Sequence, residues 1–348
     1  MSLRIAIQMD PLETVDINAD TTFALAEEAQ ARGHEIFVYQ PKHLSFDTGR
    51  LVARARPAKV QRVKETPGVF GEPRVLDLAE DVDVVLMRQD PPFDMSYITA
   101  CHLLELLKGK TLVLNDPEFV RSGPEKLFPL LFPKIIPDTL ISRDLEAIRG
   151  FRARHKDIII KPLYGNGGAG VFRMKEDDSN FSSLMEMFLE RTREPLIAQA
   201  FLPAVSNGDK RIILVDGEAV GAINRRPQKG ETRSNMHVGG TAEPVDMSQT
   251  DLAICREIGP ELKRRGQVFV GIDVIGDKLT DDQSSQVDTR ALDFVADPHV
   301  GIRMEAKIRV DKAVAKWMKQ GERRELKAEM AAAESLYSHA LAYYPGSK

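Results

Sequence analysis

Apolar and polar positions at the start of the chain repeat a strand-helix-strand pattern. The apolar runs lack the apolar–polar alternation of a half-exposed strand. Between the first two runs, apolar residues recur at helical spacing, which predicts a helix capped by Asn18 or Asp20 and ended by Gly33. Such strands predict a mostly parallel sheet covered by helices on both faces, hence an open α/β unit. The stretch from Ala53 to Glu72 is interpreted as an irregular excursion. The predicted strands are 3–9, 35–39, 82–87 and 111–114, with helices after the first and at 98–107.

The middle of the chain changes in texture after residue 118. Helical patterns at 141–155 and 182–193 alternate with a β-branched run at 158–160 and a predicted strand at 195–200. This block predicts a small α+β unit. A glycine-dense segment, Gly165 to Gly170, lies at its centre.

The glycine-dense segment follows a strand that ends in Lys161. Glycines let backbone N–H groups converge on an anion, and a lysine adds a mobile charge, so the layout is typical of a phosphate cradle. An ordinary glycine-rich hairpin turn is the other interpretation. The residues alone leave both open.

The next unit begins with a hairpin signal at Asp216-Gly217, flanked by Arg211, Arg225 and Arg226. The polar, glycine-containing stretch from Pro227 to Glu243 is read as an active-site lid. A helix over 248–265 and a strand over 267–276 follow.

Asp273 interrupts this last apolar strand, and a carboxylate there needs a cation. A turn centred on Asp277 places Asp281 opposite Asp273, with Gln283 on the same face. Two opposed carboxylates favour Mg²⁺ between them; the alternative is a solvated hairpin end. Polar residues also end the first strands, at Asp10, 88–94 and 115–116. They either line a substrate site or serve turn chemistry.

Composition narrows the class of protein to which the chain can belong. The 348 residues carry a net charge of -4, which offers no basic surface for nucleic acid, so no nucleic-acid partner is expected. The sequence contains no run of eighteen uncharged apolar residues, so no membrane span is predicted. The two cysteines, Cys101 and Cys255, lie in apolar helical patterns and are read as buried hydrophobes. A soluble, cytoplasmic protein is expected. Neither a Walker A motif nor a Gly-x-Gly-x-x-Gly motif that opens a helix, as in dinucleotide-binding folds, is present.

Phosphoryl transfer needs the reactants to be positioned and the phosphate charge to be neutralised. The predicted set of groups suits that reaction, since it combines lysines, a glycine cradle, a pair of arginines and a hairpin with carboxylates. A closing loop protects an intermediate that reacts with water, which points to an acyl phosphate. The residues thus predict a ligase that joins a carboxylate to an amine.

Several motifs make the chain resemble the prokaryotic glutathione synthetases, which are ATP-grasp ligases, over residues 1–280. The resemblance implies an ATP-grasp fold with a Rossmann-like N-terminal domain (1–118), a lid (119–200) and a C-terminal sheet domain (201–299). A divergent helical tail (300–348) follows. The motifs are Met-Asp-Pro at 9–11, MRQDPPFD at 87–94, EKLF at 125–128, KPLYGNGGAGVF at 161–172, GDKR at 208–211, GETRSN at 230–235 and GIDVIGD at 271–277.

The resemblance also implies a reaction and a set of site residues. γ-Glutamylcysteine and glycine would be joined as ATP becomes ADP and phosphate, with Mg²⁺ or Mn²⁺, in a homo-oligomer. Arg211 and Arg225 would stabilise the transferring phosphoryl group, Arg233 and Asn235 would close over the substrate, and Asp273, Asp281 and Gln283 would hold the metal. The implied ATP-binding residues are Lys126, Lys161, Gly165, Asn166, Gly167, Gly168, Ala200, Leu202 and Asp209.

The end of the chain departs from this family. Members continue the hairpin with Glu-x-Asn and then Ser-Pro-Thr, whereas this chain has Asp281-Asp282-Gln283 and no Ser-Pro-Thr. Changed ligand lengths bear directly on the near-ideal octahedron that Mg²⁺ demands. Two explanations stay open: a diverged paralog with altered or lost activity, or a reading-frame change past Thr280. A nucleotide-binding protein without catalysis, or a ligase for another substrate pair, follows from them.

Overall fold

A computed structural model describes residues 2–17, 20–165, 169–226 and 241–283. Its strands form three sheets, one for each successive part of the chain. Two of them meet at Asn115, whose side chain donates to the Phe269 carbonyl at 2.8 Å and accepts from the Val268 and Phe269 amides. No helix among the described residues is both long and apolar enough to cross a membrane.

The first sheet has the order β3-β4-β2-β1-β7-β8, with β5 and β6 also paired to β4. Its central strands are parallel and carry hydrophobic clusters on both faces. Asp20 caps α1 by accepting the Phe23 amide, and Gly33 follows the helix with a φ of +78°. Its elements are β1 (Arg4–Gln8), α1 (Thr21–Ala31), β2 (Glu35–Tyr39), β3 (Leu44–Asp47), β4 (Arg50–Val60), β5 (Gly68–Phe70), β6 (Arg74–Asp77), β7 (Val84–Met87), α2 (Met95–Glu105), β8 (Leu112–Leu114) and α3 (Pro117–Ser122).

The interpretation of Ala53 to Glu72 as irregular is wrong. β4 runs antiparallel to β2, β3, β5 and β6, so the sheet is mixed rather than purely parallel. Burial alternates along β4, where Ala53 and Ala55 face the core and Arg54 and Arg56 face out. Alanine is a weak strand former, so the period-2 pattern was easily missed.

The second sheet is antiparallel, with the order β11-β10-β12-β9. Two helices pack on it around Ile148, Ile160 and Met185. The predicted helix over 141–155 begins only at Leu145, because residues 139–142 form an edge strand. The elements are β9 (Thr139–Ser142), α4 (Leu145–His155), β10 (Asp157–Pro162), β11 (Phe172–Lys175), α5 (Phe181–Arg191) and β12 (Leu196–Ala200).

The third sheet is antiparallel, with the order β15-β14-β13-β16-β17. The predicted hairpin turn is confirmed, since Asp216 and Gly217 have φ of +51° and +81°. Phe128 and Ile136 join the core between this sheet and its helix. The bounds of the four predicted domains, 1–118, 119–200, 201–299 and 300–348, stay predictions. The elements are β13 (Asp209–Val215), β14 (Glu218–Arg226), β15 (Thr241–Pro244), α6 (Gln249–Arg264), β16 (Phe269–Ile275) and β17 (Lys278–Gln283).

Both cysteines are buried, as expected. Burial raises the pKa of the Cys101 and Cys255 thiols to about 12, so both stay protonated and act as small apolar side chains.

Candidate active site

Two arginines and two aspartates form a buried ion cluster on three adjacent strands of the third sheet. The ladders place Arg211 opposite Asp273 and Asp209 opposite Arg225. Arg211 donates to both Asp273 oxygens, at 2.5 Å from Nε and 3.0 Å from a terminal nitrogen. Arg225 donates from Nε to Asp209 at 2.6 Å and lies 2.8 Å from Asp273. Asp273 thus joins the two arginines that the resemblance implies to be catalytic.

The electrostatics of the cluster favour the charged form of Asp273. Burial alone would raise the pKa of this carboxyl, but the charges and hydrogen bonds of Arg211 and Arg225 outweigh it and lower the pKa to about 2. The arginine forks are therefore held in fixed orientations by an ionised partner.

Backbone pairing on the metal hairpin agrees with the predicted register. Asp273 pairs with Asp281, and Gly271 pairs with Gln283. The cation that Asp273 requires, however, is supplied by two arginines. Of Asp281 and Gln283 only the backbone is described, and the described part of the chain holds no group of three metal-ligating side chains. Because the side chains of Asp281 and Gln283 lie outside that description, metal ligation by Asp273, Asp281 and Gln283 stays a prediction.

The two predicted phosphate-binding lysines lie beside the start of the glycine loop. Lys126 and Lys161 are both buried, at 6% and 8% exposure. Lys126 donates to the Gly165 carbonyl at 2.5 Å and pairs with Glu125. At the far end of the loop Gly170 has a φ of +70°, and a Cβ there would lie 3.0 Å from Pro162, so this position requires glycine. Asn166, Gly167 and Gly168 lie outside the described residues.

The predicted adenine segment ends β12. The Ala200 amide donates to the Asp138 carbonyl and the Phe201 amide to the Asp157 carbonyl. The Leu202 amide has no backbone acceptor among the described residues. Arg233 and Asn235, with residues 227–240 of the predicted lid, lie outside the described residues, while Thr241–Pro244 form β15.

Sequence reasoning missed an aromatic contact next to the glycine loop. Tyr164, the residue before Gly165, stacks on Phe93 with ring centroids 6.1 Å apart and planes at 22°. Phe93 belongs to the strand-end motif 87–94, whose Arg88 donates to the Thr21 and Thr22 hydroxyls. Asp10 accepts the Asp90 amide at 2.8 Å. The aromatic letters were visible, but nothing in the sequence pairs residues 71 positions apart.

Solved structures share this fold. D-cycloserine synthetase DcsG superposes with a TM-score of 0.63 at 14% identity, covering 87% of this chain and 99% of that one. An ATP-grasp RimK domain protein from Sphaerobacter thermophilus gives 0.56 at 18% identity, with 83% and 94% covered. The three sheets thus have the ATP-grasp fold.

Sequence relatives give the family. Residues 3–121 match the prokaryotic glutathione synthetase N-terminal domain, and residues 125–283 match its ATP-grasp domain. The glutathione synthetase of Brucella melitensis biotype 1 is 54% identical over 281 residues, which cover 81% of this chain and 90% of that one. That of Bradyrhizobium diazoefficiens is 47% identical over 308 residues, with 87% and 97% covered. The chain belongs to the prokaryotic glutathione synthetase family.

Proposed function

We propose that this chain joins γ-glutamylcysteine to glycine in an ATP-dependent reaction that passes through an acyl phosphate. The observation that carries the proposal is the buried pair Arg211 and Arg225, each held by a carboxylate in a water-poor site. Preorganised arginines stabilise a transferring phosphoryl group without reorganising during the reaction. The family relationship supports the choice of substrates.

The other site residues take roles consistent with this reaction. Lys126, Lys161 and Gly165 to Gly168 hold phosphate oxygens, and Asp209 orients Arg225 beside the nucleotide. The Leu202 amide contacts adenine, and Arg233 and Asn235 cover the substrate. ATP and a divalent metal serve ATP-grasp glutathione synthetases, and we choose Mg²⁺ over Mn²⁺ as the metal here. A homo-oligomer belongs to the same proposal, and light scattering after size exclusion tests it.

A coupled assay for ADP release tests the reaction. Release should depend on both γ-glutamylcysteine and glycine. Arg225→Lys should lower kcat about 10²- to 10³-fold, because an ammonium cannot reproduce the guanidinium fork. The neighbouring Arg226→Lys is the matched control, since Arg226 is exposed and, within the described part of the chain, pairs with Glu243 at the surface. ADP release that stays at the background level with Mg²⁺ and also with Mn²⁺ would contradict the proposal.

A second candidate is a nucleotide-binding protein without catalysis. It is favoured by the Asp281-Asp282-Gln283 hairpin, which departs from the family pattern. Calorimetry that finds ATP binding without turnover supports it, and turnover with other partners supports a ligase for a different pair. Recovery of ADP release in the double variant Asp281→Glu/Gln283→Asn would trace weak activity to this hairpin.

A further inference from the structure

A cavity of about 300 Å³ borders the first sheet, and none of the four residues of the buried ion cluster lines it. The turns after β1 and β2 and the middle of β4 border it. Met9, Leu12, Val38 and Phe70 supply its apolar surface. Its volume is at the lower end of the range for small-molecule sites, which suits one small ligand.

Two arginines line the β4 side. Arg54 and Arg56 are two residues apart on the strand and therefore share the face opposite the buried Ala53 and Ala55. Arg56 lies over the Phe70 ring, 4.1 Å from its centroid. Arg54 makes no hydrogen bond or ion pair with any residue that the structure describes. Two neighbouring guanidinium groups repel each other unless an anion lies between them.

Carboxylates also line the cavity. Asp10 and Glu13 follow β1 and line the same cavity, and Glu13 lies 3.8 Å from Arg56. His43 completes the polar lining, and burial, with the charges of Arg54 and Lys42, lowers its pKa. The imidazole is then neutral at pH 7. A lining with both guanidinium and carboxylate groups suits a ligand that carries both signs of charge.

We propose that this cavity binds the α-amino-acid end of an amino acid or small peptide, with the carboxylate on Arg54 and Arg56 and the ammonium on Asp10 and Glu13. The ligand is either the glutamyl end of the dipeptide substrate or a second molecule of the same class. The charges of the cavity define the class of ligand, whereas the choice of γ-glutamyl peptides as probes rests on the proposed function.

Calorimetry without nucleotide tests the cavity on the full chain. The probes are γ-glutamylcysteine, glutathione and glutamate, with succinate as a carboxylate that lacks the ammonium. Arg54→Ala breaks no described contact and should weaken γ-glutamylcysteine binding about tenfold or more, the value of a charge-assisted hydrogen bond. Lys59→Ala removes an exposed cation from the same strand outside the cavity, and should leave the affinity unchanged.

The outcomes separate the sources and the two proposals. A rise in KM for γ-glutamylcysteine at constant kcat in Arg54→Ala assigns the cavity to the substrate. Loss of one of two bound equivalents at constant KM assigns it to a second molecule. Equal affinity of Arg54→Ala and wild type, equal binding of succinate, or no binding of any probe at about 10 mM overturns the inference. Binding in the cavity without ADP release would overturn only the proposed reaction.

Discussion

Arg211 and Asp273 stand directly opposite each other on β13 and β16, with Arg211 Nε 2.5 Å from Asp273 Oδ1. Arg225 reaches the same carboxylate from β14 on the other side. One buried carboxylate therefore contacts two cations that come from different strands. Its charge is a structural element as well as part of the candidate site.

Replacement of Asp273 should destabilise the fold strongly. Asp273→Asn leaves Arg211 and part of Arg225 buried without a counter-charge, which costs about 3–5 kcal/mol in comparable buried pairs. Urea unfolding measures the change. Asp216→Asn is the matched control, since Asp216 pairs with the half-exposed Lys263 and asparagine tolerates its positive φ. The control should lose less than about 1 kcal/mol. Equal losses in the two variants would argue against the role of the arginine pair.

The same carboxylate makes stability depend on acid pH. Its pKa in the folded state is about 2, below the ordinary value of 3.8, so its contribution is complete above pH 4 and disappears as pH falls towards 2. The stability difference between wild type and Asp273→Asn should shrink in that window. Glu261, whose pKa the Arg264 hydrogen bond lowers to about 2, titrates there in both proteins and cancels. A difference that stays constant down to the lowest pH at which both remain folded would contradict the prediction.

Two helical glycines should respond to alanine in opposite directions. Gly259 in α6 packs on the β13–β14 turn, and a Cβ there would lie 2.2 Å from the Gly217 carbonyl oxygen. Gly259→Ala should destabilise by about 1–3 kcal/mol despite the better helix propensity of alanine. Gly150→Ala in α4 has its nearest neighbour at 3.7 Å, the end of the flexible Arg154 side chain, and should stabilise by up to about 1 kcal/mol. Thermal unfolding of both variants checks the signs, and stabilisation by Gly259→Ala would refute the close contact.

Local signals in the sequence were sufficient for some of these features. The Asp216-Gly217 turn and the opposition of Asp273 and Asp281 follow from turn chemistry and the period of a strand. The need of Asp273 for a cation was also predictable. Its partner was not, because Arg211 is 62 residues away and only the pairing of β13 with β16 brings it near.

The strand β4 was not predicted from the sequence. Its centre alternates alanine with basic residues and has no large apolar side chain, and its four partner strands are spread over the first third of the chain. Its stability comes from that pairing rather than from local propensity. The cavity beside Arg54 and Arg56 was missed with it.

The stack of Tyr164 on Phe93 should couple the substrate side of the site to the nucleotide side. Tyr164 precedes Gly165, whose carbonyl accepts a hydrogen bond from Lys126. Phe93 also packs against Tyr97, with ring centroids 5.2 Å apart. Loss of either ring frees the start of the glycine loop, so Tyr164→Leu and Phe93→Leu should each weaken ADP binding. Since both remove the same stack, the double variant should bind about as well as the worse single one, with a coupling of about 0.5–1.5 kcal/mol.

Calorimetric titration of ADP into the four proteins of this cycle measures that coupling. Tyr164→Phe is the matched control, because it keeps the ring and removes only the hydroxyl, and it should bind ADP like wild type. Strictly additive losses in the double variant would show that the two rings act independently. In that case Lys126 and Gly165 would be positioned by the second sheet alone, without help from the loop that follows β7.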